Sequence, residues 1–80
     1  MRRDEIRETT LKILGNVAPE IDPQQAPSGA MLREELGLDS MDYLELLTQL
    51  HEETGVEIPE KDYDKARSID EIVDYLVGHS

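Results

Sequence analysis

The chain is organised around residues 36–45, which read Leu-Gly-Leu-Asp-Ser-Met-Asp-Tyr-Leu-Glu. Gly37 supplies the backbone freedom that a turn needs, and Asp39 and Ser40 are residue types favoured at a helix N-terminus. The apolar positions of a helix begin directly afterwards, at Met41. The segment therefore predicts a loop that presents the Ser40 hydroxyl at the exposed, electropositive start of an amphipathic helix.

Ser40 is a poor candidate for a catalytic nucleophile. A serine hydroxyl must be activated by an adjacent base or positive charge, whereas the ionisable neighbours here are the carboxylates Asp39, Asp42 and Glu45. These carboxylates disfavour an alkoxide. A helix N-terminus does suit a phosphodiester anion, because its free amide groups and its dipole favour negative charge. Ser40 is either a simple helix cap or a residue that another enzyme modifies.

The second helix is predicted from about Ser40 to Thr54, with one buried face. Spacing at about 3.6 residues per turn gives a core stripe of Tyr43, Leu46, Leu47 and Leu50. Met41 and Leu44 lie outside that stripe. The opposite side is mostly acidic and carries Asp42, Glu45, Gln49, Glu52 and Glu53. We interpret this side either as a docking surface for a protein partner or as a solvated helix face.

A first helix is predicted from Asp4 to about Asn16. Its inward positions follow helical spacing and comprise Ile6, Thr10, Ile13, Leu14 and Val17. Gly15 and Asn16 are expected to stop this helix. Its basic side chains are expected on a solvated face, and they are Arg2, Arg3, Arg7 and Lys12.

A long loop is predicted from Ala18 to Gly29, because this stretch combines residues that interrupt helices, namely Pro19, Pro23, Pro27, Ser28 and Gly29. Five apolar residues are expected to anchor this region to the helices: Ile21, Met31, Leu32, Leu36 and Leu38. Gly55 is predicted to end the second helix, and an extended connection follows to Pro59. Residues 60–66 predict a short helix with Tyr63 and Ala66 facing inward.

The final helix begins with a capping box, in which Ser68 is followed three residues later by Glu71. Its predicted stripe consists of Ile69, Ile72, Val73, Leu76 and Val77, and its predicted end is near Gly78. Of the tyrosines, Tyr43 is expected in the core, Tyr63 under the short helix, and Tyr75 on the surface. The fold class is therefore all-α: a small four-helix bundle of three longer helices and one short helix, with a long loop after the first.

Composition narrows the functional classes. Eighty residues fit one small domain, 1–80. The net charge of -11 disfavours nucleic acid and anionic membranes as partners and favours basic protein surfaces. No apolar run could span a bilayer, no secretory signal is present and cysteine is absent, so we expect a soluble, cytoplasmic monomer. No metal site is predicted, because Gly55 occupies the second histidine position of the zinc-protease pattern that His51 and Glu52 begin.

The central segment resembles the phosphopantetheine-attachment motif of acyl carrier proteins. The residues that carry this resemblance are Leu36, Gly37, Asp39, Ser40, Met41, Asp42, Leu44 and Glu45, and it continues through residues 51–59 to the final helix. It implies that a phosphopantetheinyl transferase, using coenzyme A and Mg²⁺, esterifies Ser40 with 4′-phosphopantetheine, whose thiol then holds acyl groups as thioesters. The chain would be a carrier and not an enzyme.

The resemblance also implies partners. Synthases, reductases and acyltransferases of fatty-acid, polyketide or related lipid biosynthesis would dock through basic patches, and the residues expected to bind them are Asp39, Met41, Asp42, Leu44, Glu45 and Glu52. Leu38 and Asp39 before the serine resemble fatty-acid or polyketide carriers more than peptidyl carriers. Gln49 and His51 depart from the more acidic helix of typical fatty-acid carriers. The alternative hypothesis is an unmodified acidic helical module that binds a basic partner.

Overall fold

The computed structural model describes residues 2–22, 25 and 27–79. Within them the chain forms three α-helices, α1 (Arg3–Val17), α2 (Ser40–Thr54) and α3 (Ile69–His79), and one 3₁₀ helix, Glu60–Lys65. No strand occurs in this part of the chain. The all-α prediction of three longer helices and one short helix is confirmed. None of the helices in these ranges has both the length and the apolar character that a membrane span requires.

The three α-helices bury one shared hydrophobic cluster. α1 packs against both α2 and α3, and the 3₁₀ helix packs against α3. The α2 stripe is as predicted, with Leu46 and Leu50 fully buried and Tyr43 and Leu47 nearly so. Thr10 is the buried polar residue of α1, and its hydroxyl donates to the Ile6 carbonyl at 2.8 Å. The hydrophobic periodicity therefore identified the inward face of each helix, apart from differences at α3.

The end of α1 lies one residue beyond Asn16, near which it was predicted. The helix continues through Gly15 and Asn16 to Val17, and the Ala18 amide donates to the Leu14 carbonyl at 2.9 Å. A single glycine in a helix costs only about 1 kcal/mol relative to alanine. Burial of Ala18 and partial burial of Val17 favour the continuation of the helix past Gly15. Gly55 does end α2 as predicted, with a left-handed φ of 75° and its amide bonded to the His51 carbonyl at 2.8 Å.

The buried face of α3 is shifted from the predicted stripe. Tyr75 is buried, not exposed, and its hydroxyl donates to the Asp62 carboxylate at 2.7 Å. Val77, predicted inside, is 39% exposed. The reason is that α3 contacts the 3₁₀ helix as well as α1, and Tyr75 bonds to Asp62 of the 3₁₀ helix, so the buried arc extends to Tyr75. Sequence periodicity gave no information about the second neighbour.

Two of the basic residues of α1 are not simply solvated. Arg3 pairs with Asp74 and Arg7 with Asp70, the latter at 3.0 Å, so both join α1 to α3. Asp70 also accepts a hydrogen bond from the Ser28 hydroxyl at 3.2 Å. The hydrogen bond from Arg7, helped by the one from Ser28, holds the pKa of Asp70 below its ordinary value. The expectation of a solvated basic face holds for Arg3, which is exposed although it is paired, and is wrong for Arg7, which is partly buried.

The described part of the long loop and the residues after it are attached to the start of α3 and to the segment before it. The Leu32 amide donates to the Arg67 carbonyl at 2.8 Å, and the Asp70 amide donates to the Ser28 carbonyl at 3.0 Å. Of the predicted anchors, Leu32 and Leu38 are buried, whereas Ile21 and Leu36 are partly buried against the cluster. Met31 is half-buried and outside the cluster. Pro23, one of the predicted helix breakers, lies outside the described residues.

The capping box at the start of α3 forms with a small change of partner. The Glu71 amide donates to the Ser68 hydroxyl at 3.1 Å, as the pattern predicts. The return bond goes from the Arg67 amide, not from the Ser68 amide, to the Glu71 carboxylate at 2.8 Å. Ser68 is buried. This start fixes α3 directly after the segment that holds the long loop.

Candidate functional site

The start of α2 is built by three residues with separate tasks. Gly37 adopts a left-handed φ of 80° and turns the chain toward the helix. Asp39 is the N-cap, since its side chain accepts from the Asp42 amide at 2.8 Å and its carbonyl accepts from the Tyr43 amide at 3.0 Å. Ser40 is the first residue of the helix. Of the two capping candidates, Asp39 therefore has that role, and Ser40 is left available for another.

The Ser40 side chain is exposed and accessible. Its hydroxyl makes no hydrogen bond with any of the residues that the structure describes. The amides of Ser40 and Met41 precede the first intrahelical bond of α2, which the Tyr43 amide makes. The hydroxyl therefore projects from a helix end where free amide groups favour an anion.

The residues around Ser40 do not form a catalytic group. Asp39 is engaged as the cap, and Asp42 carries the same sign of charge. Partial burial of Asp42, with the negative charges of Asp39 and Glu20, raises the pKa of its carboxyl above the ordinary value. Repulsion among these carboxylates opposes an alkoxide at Ser40. The surroundings of this accessible hydroxyl therefore do not activate it as a nucleophile.

The predicted partner-binding residues lie on the solvent side of α2 and at its start. We name them the docking face: Asp39, Met41, Asp42, Leu44, Glu45 and Glu52. Met41 is 79% exposed and Leu44 is 46% exposed, although both are apolar. Glu45 accepts a hydrogen bond from the Gln49 amide group at 2.9 Å, one turn along the helix. The docking face thus combines two exposed apolar side chains with carboxylates on both sides of Ser40.

A family comparison matches most of this chain. The family described as the phosphopantetheine attachment site matches residues 4–76. An acyl carrier protein of Rubrobacter xylanophilus is 39% identical over 74 residues, which cover 92% of this chain and 85% of the relative. The chain belongs to the acyl carrier protein family. Members of that family are carriers and not catalysts, and the matched family is defined by the attachment of phosphopantetheine.

Other acyl carrier proteins agree with this assignment. A solved structure of the acyl carrier protein from Enterococcus faecalis has a TM-score of 0.84 and 30% sequence identity, with both chains covered completely. The mitochondrial acyl carrier protein 2 of Arabidopsis thaliana is 36% identical over 77 residues, or 96% of this chain. The chain spans between 55% and 60% of the length of the mitochondrial relatives that it matches.

Three features of this acyl carrier fold near Ser40 were not identified from the sequence. Glu20, in the loop after α1, carries a negative charge that helps to raise the pKa of Asp42. Tyr43 donates its hydroxyl to the Ala66 carbonyl at 2.6 Å. Arg33 and Arg67 line a cleft that also includes Tyr43. Each feature joins residues far apart in sequence, so no periodicity or short motif could have predicted it.

Proposed function

We propose that this chain is an acyl carrier protein in which Ser40 is the residue esterified by 4′-phosphopantetheine. The observation that carries the proposal is the exposed, unbonded Ser40 hydroxyl on the first residue of α2. It lies inside the segment matched by the phosphopantetheine attachment family. The described residues offer no base to this hydroxyl, which supports modification by a separate enzyme.

The local backbone suits the phosphate end of such a group. The Asp39 side chain accepts a hydrogen bond from the Asp42 amide. The Ser40 and Met41 amides are left free to favour a phosphodiester anion. When bound, the group supplies the thiol that holds acyl chains as thioesters, and this chain has no cysteine of its own. The task of the chain is then to fix the helix start, to keep the hydroxyl accessible and to present a surface to its partners.

The docking face is proposed to bind enzymes that carry a basic patch around an apolar pocket. Carboxylates at Asp42 and Glu45 would pair with the basic groups, whereas Met41, at 79% exposure, would enter the pocket. The partners in this proposal are a phosphopantetheinyl transferase and acyl-transferring or synthase enzymes of fatty-acid, polyketide or related lipid biosynthesis. We further propose a cytoplasmic monomer that acts as one domain, 1–80. The shared hydrophobic cluster of the described residues supports the single domain, and repulsion between chains with a net charge of -11 supports the monomer.

Intact mass measures the modification directly. The purified chain is incubated with coenzyme A, Mg²⁺ and a broad-specificity phosphopantetheinyl transferase, and a phosphopantetheine-sized gain in mass is expected. Ser40→Ala should show no gain. Thr48→Ala is the matched control, because Thr48 is also an exposed hydroxyl on α2 and its loss should leave the gain unchanged. A wild-type chain that several transferases leave unmodified would favour the alternative, an unmodified acidic module that binds a basic partner.

A pair of charge reversals tests the docking face. Asp42→Lys with Glu45→Lys should lower the kcat/KM of the transferase by at least about tenfold, since electrostatic steering changes association rates by this order or more. The control is Glu5→Lys with Glu8→Lys, which makes the same change of net charge at exposed positions of α1. Circular dichroism should show unchanged helicity in both variants. Equal losses in the two pairs would mean that net charge, and not the docking face, controls the encounter.

A further inference from the structure

A half-open cleft of about 490 Å³ lies beside the first turn of α2. It is bounded by the loop segment 31–38, by the N-terminal part of α2 and by the segment 63–67. Leu38 and Tyr43 both line it, and they stand two residues before Ser40 and three residues after it. A group attached at Ser40 therefore has this cleft within reach.

Tyr43 closes the cleft toward the hydrophobic core. Its side chain is only 4% exposed, and its hydroxyl donates to the Ala66 carbonyl at 2.6 Å. Its ring meets the Tyr63 ring edge to face, with centroids 5.4 Å apart and planes at 81°. The next residue of the same α2 stripe, Leu46, is fully buried. A chain that enters the core from this cleft must first displace Tyr43 from both the carbonyl and the neighbouring ring.

The mouth of the cleft is polar. Arg33 and Arg67 line it from two different segments, together with Glu34 and Asp64. Arg33 forms no ion pair with the described residues, whereas Arg67 approaches Glu71 at 3.9 Å. An unpaired guanidinium is a hydrogen-bond donor that an oxygen atom on a bound group could satisfy. A purely hydrocarbon chain would desolvate these groups without compensation.

We propose that Tyr43 is a specificity-determining residue that keeps acyl chains out of the core. The cargo then lies in the adjacent cleft, which fits short acyl groups bearing a hydrogen-bond acceptor better than long saturated ones. This inference rests on the proposed attachment at Ser40. The acceptor faces Arg33, the apolar part of the short chain lies against Leu38 and Tyr43, and the thioester stays near the protein surface.

The first test compares chain lengths. Butyryl and octanoyl groups are loaded with the transferase from their coenzyme A thioesters, and loading is confirmed by mass. The amide signals of Leu46, Leu50 and Ile72 report the core in ¹H–¹⁵N spectra, and all three residues are fully buried. In the wild-type chain these signals should be the same for both cargoes. In Tyr43→Ala the octanoyl form should shift these three amide signals. The octanoyl thioester of this variant should also react with hydroxylamine at least about tenfold more slowly than its butyryl thioester, since each buried methylene favours the enclosed state by about fourfold.

Two results would overturn the proposal that Tyr43 keeps acyl chains out of the core. Core shifts that grow with chain length in the wild-type protein would show that Tyr43 does not bar the chain. Identical behaviour of wild-type and Tyr43→Ala would do the same. If Tyr43→Ala does not fold, Tyr43→Leu decides, because it removes both the ring contact and the bond to Ala66 while keeping an apolar side chain in the core. Octanoyl-dependent core shifts in Tyr43→Leu support the proposed role of Tyr43, and their absence overturns it.

The second test compares butyryl with acetoacetyl, which has the same length and a ketone in place of one methylene. The acetoacetyl form should shift the Nε–H signals of Arg33 and Arg67, and Arg33→Gln should remove the difference between the two cargoes. Equal signals for both cargoes in the wild-type chain would overturn the preference for an acceptor. Failure of loading would instead refute attachment at Ser40, so the two proposals fail separately.

Discussion

Replacing Tyr43 with phenylalanine should destabilise the fold much more than the loss of one oxygen atom suggests. The Tyr43 hydroxyl lies 2.6 Å from the Ala66 carbonyl, and both residues are buried. Its second contact, to the Tyr63 carbonyl at 3.4 Å, is too long to add much. No other described residue donates to the Ala66 carbonyl. The variant therefore loses a hydrogen bond and leaves a buried acceptor without a partner, at a cost of about 2 kcal/mol.

Urea unfolding and thermal melting measure this cost. For a domain of this size, each kcal/mol corresponds to about 4 to 8 °C, so the melting temperature should fall by about 8 to 16 °C. Tyr63→Phe is the matched control, since it removes the same atom from the neighbouring ring. The Tyr63 hydroxyl bonds to none of the described residues, so this variant should change stability by less than about 0.5 kcal/mol. Equal effects of the two substitutions, or a stable Tyr43→Phe protein, would refute the reasoning.

The burial of Tyr43 also leads us to expect that the stability of the fold falls at alkaline pH. Burial of Tyr43, with a smaller contribution from Tyr63, raises its pKa from 10.0 to about 12. Below pH 10 the tyrosine is neutral in both states, so its full contribution to stability is present. As the pH rises from 10 toward 12, the unfolded chain loses the proton first, and the free energy of unfolding falls. Tyr43→Phe should show a shallower decline over this range. An unchanged decline would mean that Tyr43 does not titrate in this way.

Three further predictions concern the helices and the net charge. Gly55→Ala should lower the free energy of unfolding by about 1 kcal/mol, because φ is +75° at this position. Gly78→Ala should not destabilise the fold, and similar urea midpoints for the two variants would contradict this. Asp70→Asn should lower stability at neutral pH, because a lowered pKa stabilises the fold above the ordinary value of 3.8 and this effect is lost as the carboxylate is protonated. The variant should therefore lose less stability than the wild type on acidification through this range, and an acid slope equal to that of the wild type would contradict this. Added salt or divalent cations should raise the melting temperature, since a net charge of -11 repels itself, and a constant melting temperature from low to moderate salt would count against this.

The sequence was most informative where structure is decided locally. The bounds of α2, its buried stripe and its end at Gly55 all depend on neighbouring residues in the sequence, and all were predicted correctly. The Ser40 segment was also recognisable, because Gly37, Asp39 and Ser40 lie within four residues of one another. Predictions failed where a residue has a second neighbour from elsewhere in the chain. Tyr75 is buried because the 3₁₀ helix covers it, and Arg7 is paired because α3 brings Asp70 to it.

The proposed role of Tyr43 depends on a contact that the Ser40 segment does not encode. Within α2, Tyr43 is only one more member of the core stripe. Its partner Ala66 is 23 residues later, so the bond depends on how the connection after Gly55 sets the 3₁₀ helix against α2. A one-residue insertion between Gly55 and Pro59 would leave the Ser40 segment and the α2 stripe intact and still misplace the Ala66 carbonyl. If both proposals hold, attachment at Ser40 depends on a local segment, whereas selection of the acyl group depends on the packing of two segments and can change while attachment is retained.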